Sequence, residues 1–587
     1  MTPFFEQIFV ISTLLIMVVF LFQEKFKPSL VFLGGIMIFI LTGVISVEEF
    51  LSGFSNKAIL TIILLLLLIA GVKNQINFSR FSSSILGKGS TENSFRWKMT
   101  ILVASLSSVM NNTPIVASLI PFVNRWAKSK KTFPSKFLIP LSYSAILGGM
   151  ITLIGTSTNL VLNGLLIESG EAPLGFLDFL IPGILVTVFG LLFINTIGTK
   201  LIPENHNPLD DFKENSTEYL LETKINSNSQ LIGKSILDAG LRNLKDVFLV
   251  ELIREGNLIR PVGPQDLLNE NDILVFTGDI ESLVELIKNK PGIELNNFDN
   301  HSNEILKHIT EAVVPVNSYL EGKIIKESNF REKFDAGILS VHRKGERLES
   351  RLGEIQIKAG DLLLLNSGTN FIKRAKRNKD LIVISQTEKA EKKSGKLFTP
   401  FILGFITLLI LCTLNQISLF SALFIAVGFQ VFLGLLKFEE IKNELDLDLI
   451  LILVCALSLG VALVNSQAGA LLASHITQIL LPFGTWGLLA GFFICTVILT
   501  NFVSNIAAVS IIFPVVLALK PVVGDDISLF YLTIAFGASC AFITPFGYQT
   551  NLMVLGPGNY KVQDFARIGL PLTVIYGLVF FGYLLLK

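Results

Sequence analysis

The sequence predicts a polytopic α-helical membrane protein: an inverted-topology repeat with two re-entrant hairpins and two broken helices, interrupted by two tandem small α+β domains. Three observations predict it. Apolar residues are blocked into long runs, the same polar motifs recur almost 400 residues apart, and a polar middle stretch carries a shorter duplication of its own.

The apolar runs set the class. The chain is 51% hydrophobic and 16% charged, with a mean hydropathy of +0.62, which fits an integral membrane protein better than a soluble one. "AILTIILLLLLIAGV" (58–72) and "LDLILILVCALSLGVAL" (447–463), with their flanks, are long enough to span a hydrocarbon core of about 30 Å. The apolar start lacks a small-residue cleavage site after residue 23 and reads as a retained first crossing. A net charge of +1 gives no hint of nucleic acid. Cys412, Cys455, Cys495 and Cys540 sit in apolar segments without C-x-x-C spacing and read as buried thiols. The five histidines form no ligand pattern, so a metal enzyme is not expected.

Basic loops orient the spans. Lys73, Arg80, Lys88, Arg96 and Lys98 occupy loop 73–98, and Arg125, Lys128, Lys130, Lys131 and Lys136 follow in 124–136. Glu48, Glu49, Glu168 and Glu171 lie in the loops opposite. The amino terminus is therefore expected outside a plasma (bacterial inner) membrane, with residues 204–396 in the cytoplasm.

The membrane halves, 1–203 and 397–587, follow one plan. Asn112 and Asn505 are separated by 505 − 112 = 393 residues; Pro121 and Pro514 show the same offset, and Asn159 and Asn551 lie 392 apart. Each half is read as five crossings plus a hairpin (99–126 and 485–519). The second copy is thereby inserted upside down, as in many secondary transporters. "LIGTSTNL" (153–160) and "ITPFGYQTNL" (543–552) place Gly, Pro and hydroxyl residues inside spans. In lipid every backbone N–H and C=O needs an internal partner, so such breaks are tolerated only where they line a protein cavity. Freed carbonyls with Thr and Asn oxygens suit Na⁺, and exposed N–H groups suit an anion. "SLSSVMNNTP" (105–114) and "LTNFVSNIAA" (499–508) set small polar residues halfway along the hairpins. No charged residue occupies these motifs, which disfavours a proton-relay antiporter. Asp446 and Asp448 read as boundary or hydrogen-bonding residues.

The middle part, 204–396, repeats with a period of 89: Gly233 and Gly322, Gly256 and Gly345, Asp272 and Asp361. Alternating runs such as "DILVFTG" predict strands and "ESLVELIKN" (281–289) a helix. Two α+β domains, 216–295 and 305–390, follow, with "QTEKAEKKSGK" (386–396) as a linker. Neither carries a G-x-G-x-x-G phosphate loop.

With these motifs, Asn111-Asn112-Thr113 and Ser504-Asn505-Ile506 at the hairpin tips, the two membrane halves resemble the divalent anion/Na⁺ symporters, carriers of sulfate or of di- and tricarboxylates. The middle domains resemble the TrkA-C type regulatory ligand-binding domain of potassium-uptake proteins. The resemblance implies two Na⁺ sites. One would use Ser108, Asn111 and Asn112 with Gly155, Thr156 and Asn159; the other would use Thr500, Ser504 and Asn505 with Thr544, Gly547 and Asn551. It places the anion between the tips, on Asn112, Thr113, Ser504 and Asn505, beside Thr158, Asn159, Thr550 and Asn551. In dicarboxylate carriers of this family each tip offers a Thr to one carboxylate. Here the second is Ile506, and Pro114 follows the first, which favours a compact anion such as sulfate over a dicarboxylate. The resemblance also implies a homodimer and a small-molecule regulator at the middle domains. A transporter-like sensor of anion availability is the rival from another class.

Overall fold

The computed structural model describes residues 3–23, 26–55, 57–73, 86, 91–205, 292–295, 416–437 and 447–587, most of 220–278 and 309–384, and isolated positions between 401 and 441. The predicted helix 281–289, the linker 386–396, and Arg80, Lys88, Gly256, Cys412 and Asp446 lie outside the described residues.

Six helical stretches among the described residues are long and apolar enough to cross a bilayer: Phe4–Leu21, Phe176–Asn195, Leu447–Asn465, Ala468–Phe502, Lys520–Ser539 and Val562–Leu584. Other apolar helices are shorter, including Pro28–Leu41, Phe420–Phe432 and Asn505–Leu517. Part of that shortness has a local cause. Ser135–Gly149 ends at a Gly pair and the chain resumes helix only at Ser157–Glu168; Ile527–Ser539 stops before Pro545 and resumes at Gln549–Leu555. Glycine costs helix stability and proline lacks the N–H a helix needs.

Helices Pro28–Leu41 and Leu447–Asn465 pack together, as do Lys57–Lys73 and Leu419–Phe432, forming one group. Asp448 accepts hydrogen bonds from Ser29 Oγ at 2.6 Å and Lys27 Nζ at 3.1 Å, so it ties the first of these pairs at its end. A second group holds the hairpins and broken spans. Glu92–Ser107 packs on Ser135–Gly149, Gly484–Phe502 on Ile527–Ser539, and Phe176–Asn195 on Val562–Leu584. The last span of each half presses a glycine onto a broken segment. A Cβ at Gly183 would meet Ile151 Cα at 2.6 Å, and one at Gly569 would meet Ile543 N at 2.9 Å. Cys455 and Cys540 are buried, but Cys495 is exposed on the outer surface of its helix, which corrects the expectation for that thiol.

The inserted part holds two five-stranded antiparallel sheets. The first contains β1 (Leu220–Ile225), β2 (Val247–Arg254), β3 (Asn257–Ile259), β4 (Ile273–Gly278) and β5 (Ile293–Leu295), in the order β3-β2-β4-β1-β5. The second contains β6 (Ile309–Val313), β7 (Ala336–Arg343), β8 (Glu346–Arg347), β9 (Leu362–Ser367) and β10 (Ile382–Val383), in the order β10-β6-β9-β7-β8. Strand for strand this is one topology used twice. Each sheet is locked by the same bidentate pair: Arg254 reaches Asp272 at 2.9 and 2.8 Å, and Arg343 reaches Asp361 at 2.7 and 2.8 Å. The sheets are joined by Asn366 donating to Glu251 at 2.6 Å and Arg331 donating to the Val262 carbonyl at 2.6 Å.

The second sheet sits on the membrane half. The β7–β8 turn has positive φ at Lys344 and Gly345, as two-residue hairpin turns require. A Cβ at Gly345 would lie 3.0 Å from the Tyr560 carbonyl. Lys344 Nζ stands 4.9 Å from the Phe546 ring centre, and Glu346 pairs with Lys561 at 3.0 Å.

Candidate functional site

Each hairpin tip is a helix end restarted by an Asn-containing cap. Glu92–Ser107 gives way to Asn112–Ser129 with Asn111 as N-cap, its Oδ1 accepting the Thr113 N–H at 3.4 Å. Gly484–Phe502 gives way to Asn505–Leu517 with Ser504 as N-cap, its Oγ accepting the Ala507 N–H at 3.3 Å.

Four contacts then repeat in both halves. Ser107 Oγ contacts Asn112 Oδ1 and bonds the Ala145 carbonyl at 2.8 Å; Thr500 Oγ1 contacts Asn505 Oδ1 at 2.8 Å and the Ala538 carbonyl at 2.5 Å. Thr152 Oγ1 donates to the Ser108 carbonyl, and Thr544 Oγ1 donates to the Asn501 carbonyl. Asn159 Nδ2 donates to the Thr152 carbonyl at 3.2 Å, and Asn551 Nδ2 to the Thr544 carbonyl at 3.3 Å. The tips are thus stitched to the broken spans twice over. The broken backbone is satisfied from the same residues: Thr152 Oγ1 accepts the Gly155 N–H at 3.1 Å and Asn501 Oδ1 the Ile543 N–H at 2.8 Å. This is how a gap in a helix persists without water.

Gly155 and Gly547 are required by close approach. A Cβ at Gly155 would lie 2.8 Å from the Ser107 carbonyl, and one at Gly547 would collide with the Thr500 carbonyl.

The two halves also meet each other here. Asn112 Nδ2 donates to the Tyr548 hydroxyl at 2.5 Å, and Thr113 Oγ1 to Gln549 Oε1 at 3.0 Å. The Tyr548 hydroxyl also meets Thr156. Ser142 Oγ lies 2.8 Å from Thr550 Oγ1 and 2.6 Å from Asn551 Oδ1. Thr156 Oγ1 and Thr158 Oγ1 stand 3.4 Å apart.

The residues singled out from the sequence are therefore gathered around the tips and breaks, although Ser108 joins the network through its carbonyl and not its hydroxyl. Ser108 spends its hydroxyl on the Ser105 carbonyl of its own helix; Ser107 is the residue whose oxygen faces Asn112. Sequence reasoning also passed over Thr152, Asn501 and Ser142, and took Tyr548 and Gln549 only as part of the broken stretch 543–552. The first three are small polar residues buried in apolar helices or breaks, and the offset of 393 applied to Thr500 points to Ser107.

The donor set is neutral oxygen: Ser107, Asn112 and the Ala145 carbonyl in one half, Thr500, Asn505 and the Ala538 carbonyl in the other. Hydroxyl and carbonyl oxygens fit Na⁺, a hard cation. Among the described residues no cluster of three or more His, Cys, Asp or Glu could hold a metal ion. One donor is left over: Asn505 Nδ2 is buried without a hydrogen-bond partner. An unmet buried donor costs about 1–3 kcal/mol, which an acceptor from a ligand would recover.

These mirrored oxygen networks are set into an apolar helical body with six candidate membrane-crossing stretches among the described residues, and the proteins the chain matches make it a membrane transporter. Residues 17–537 match the citrate transporter family, and the chain belongs to it. A Chlamydomonas reinhardtii protein named for regulating the sulfur deprivation response is 31% identical over 554 residues, covering 92% of this chain and 94% of the relative. An uncharacterised transporter of Synechocystis is 30% identical over 92% of this chain and 90% of its own length. Sodium/sulfate cotransporter 1 of Chlamydomonas reinhardtii is 25% identical over 61% of this chain and 42% of its own length.

Proposed function

We propose that this protein is a secondary active transporter that couples Na⁺ entry to symport of a small divalent anion, sulfate first. The observation that carries the reading is the pair of mirrored tip-to-break networks, joined across the halves by Asn112–Tyr548 and Thr113–Gln549. Each network holds the oxygens for one Na⁺; the unmet Asn505 amide of one tip and Thr113 of the other hold the anion. Ser504 and Ile506 line the second tip, where the hydrophobic side chain removes a donor a dicarboxylate would use. Two or more Na⁺ offset the anion's two charges. Each net charge that remains costs ~2.3 kcal/mol per 100 mV of membrane potential. The sulfate assignment draws support from relatives named as sodium/sulfate cotransporters.

Movement follows from which elements interlock. The broken spans and tips of both halves are bonded to one another, so they travel as one body against the helices of 3–73 and 419–480. In this reading the amino terminus is outside, residues 204–396 are cytoplasmic, the hairpins re-enter the membrane, and the protein is a homodimer. The second α+β domain, seated on 546–561, reports or controls the position of that body.

A second reading, carriage of a tri- or dicarboxylate, is favoured by the description of the matched family as citrate transporters. Labelled-sulfate uptake into proteoliposomes, with and without a Na⁺ gradient and challenged with succinate or citrate, separates the two. Sodium-dependent sulfate uptake that resists both competitors supports sulfate; strong competition supports the second reading.

A further inference from the structure

The two repeats provide a control for each other, because a contact in one has an expected counterpart 392 or 393 residues away. The donors of the two tips fail that control. In the first tip both are paired with oxygens from the second half: Asn112 Nδ2 donates to the Tyr548 hydroxyl at 2.5 Å, and Thr113 Oγ1 to Gln549 Oε1 at 3.0 Å. In the second tip Asn505 Nδ2 is buried and donates to nothing, and Ile506 stands at the place of Thr113. The counterparts of Tyr548 and Gln549 are Thr156 and Ser157, with hydroxyls set directly on Cβ, and neither bonds Asn505 Nδ2. The long side chains at 548 and 549 are therefore a property of the second repeat alone.

The two pairs in the first tip also differ in access. Asn112 is buried, Thr113 half-buried, and Gln549 exposed as the first residue of the helix Gln549–Leu555. A solute can reach the Thr113–Gln549 pair, whereas Asn112 is closed to it.

We propose that Gln549 is a specificity-determining residue that competes with the anion: in the empty carrier its carboxamide oxygen accepts the Thr113 hydroxyl, the place an anion oxygen takes in the loaded carrier. The inference rests on placing the anion at the tips, and not on which anion is carried. Gln549 has the chemistry of a displaceable stand-in, being exposed, long and neutral. A hydrogen bond to a charged oxygen is roughly twice as strong as one to a neutral oxygen. An anion therefore displaces Gln549 from Thr113, and an uncharged solute of the same shape does not. The same competition weakens apparent affinity in proportion to the fraction of carriers in which Gln549 leaves Thr113 free.

The test uses purified full-length protein in detergent and reads melting temperature against sulfate and, separately, citrate, each in Na⁺ and in choline. Gln549→Ala removes the competitor and should lower the half-saturating concentration of the responding anion by about three- to tenfold. Gln549→Glu holds a charged oxygen on Thr113. It should abolish the response to both anions and enlarge the Na⁺-induced rise in melting temperature measured without added anion. A residue that only braced the tip would weaken anion binding when truncated. The proposal is overturned if Gln549→Ala binds the anion more weakly than wild type or equally well, and also if Gln549→Glu keeps the wild-type anion response, which decides the matter should Gln549→Ala fail to fold. Thr113→Val separates this outcome from failure of the site. Loss of the anion response in Thr113→Val with an unchanged Gln549→Ala sinks the competition alone. A Thr113→Val protein that still responds, or a wild type that responds to neither anion, sinks the placement of the anion at the tips and this inference with it.

Discussion

Both parts of the molecule are duplicated, and the two duplications have aged differently. In the inserted part each strand of the second sheet lies 89 residues after its partner, and the Arg254–Asp272 lock is reproduced by Arg343–Asp361 almost atom for atom. In the membrane part the bonds that satisfy broken backbone are kept, Thr152 with Thr544 and Asn159 with Asn551. Contacts across the halves are kept on one side alone: Asn112 and Asn551 answer to Asn505 and Asn159, but their partners differ, Tyr548 answering to Thr156 and Ser142 to Ala535. What the fold needs to exist without water stays paired; the partners reaching in from the other half differ. The inserted domains differ instead in their neighbours, since β7–β8 of the second is seated on the turn after Gln549–Leu555.

The comparison can be broken most severely at the kept bonds. Thr500→Val and Ser107→Ala each remove the hydroxyl from one tip network and should each raise the Na⁺ requirement of uptake by about 10–100-fold. A Na⁺ titration of uptake showing one variant indistinguishable from wild type would mean the mirrored networks are not both cation sites.

A smaller effect sharpens the contrast between the inserted domains. Asp272→Asn and Asp361→Asn remove equivalent buried carboxylates whose Arg partners are partly exposed, so each should cost about 1–3 kcal/mol of domain stability. Asp361→Asn should alter uptake and Asp272→Asn should not, because among the described residues it is the second domain that is seated on 546–561. Equal changes in uptake from both variants would remove the seating contact from the account.

The smallest expected effect is a pH slope. Burial, helped by the nearby Arg347, holds the His342 imidazole down at about 4 against an ordinary 6.5. Between those values the unfolded chain binds a proton that the folded domain refuses, so stability rises with pH across that window and levels off above it. Melting curves from pH 4 to 7 should show this slope, and His342→Gln should flatten it; an unchanged slope would assign it to other groups.

Much of the plan was legible because membrane burial restricts what a chain can contain. Polar residues in apolar runs are few, so Asn112, Asn505, Asn159 and Asn551 stood out and their spacing disclosed the repeat. The 89-residue period was legible for a similar reason, since Gly233, Gly322, Asp272 and Asp361 sit at turns and locks with strict backbone needs. Ser107 was hidden by its neighbour: "SLSS" offers hydroxyls at 105, 107 and 108, and only helix phase decides which one faces the tip. Ser142, Tyr548 and Gln549 were hidden by distance. Their partners lie 409, 436 and 436 residues away in the chain, and no local pattern encodes a contact between halves.

The most direct test of the central claim is uptake of labelled sulfate by purified full-length protein in proteoliposomes, measured with an inward Na⁺ gradient and again with Na⁺ replaced by choline. The account predicts accumulation in the first case and none above control vesicles in the second. Equal sulfate uptake in both, or none in either, would contradict it.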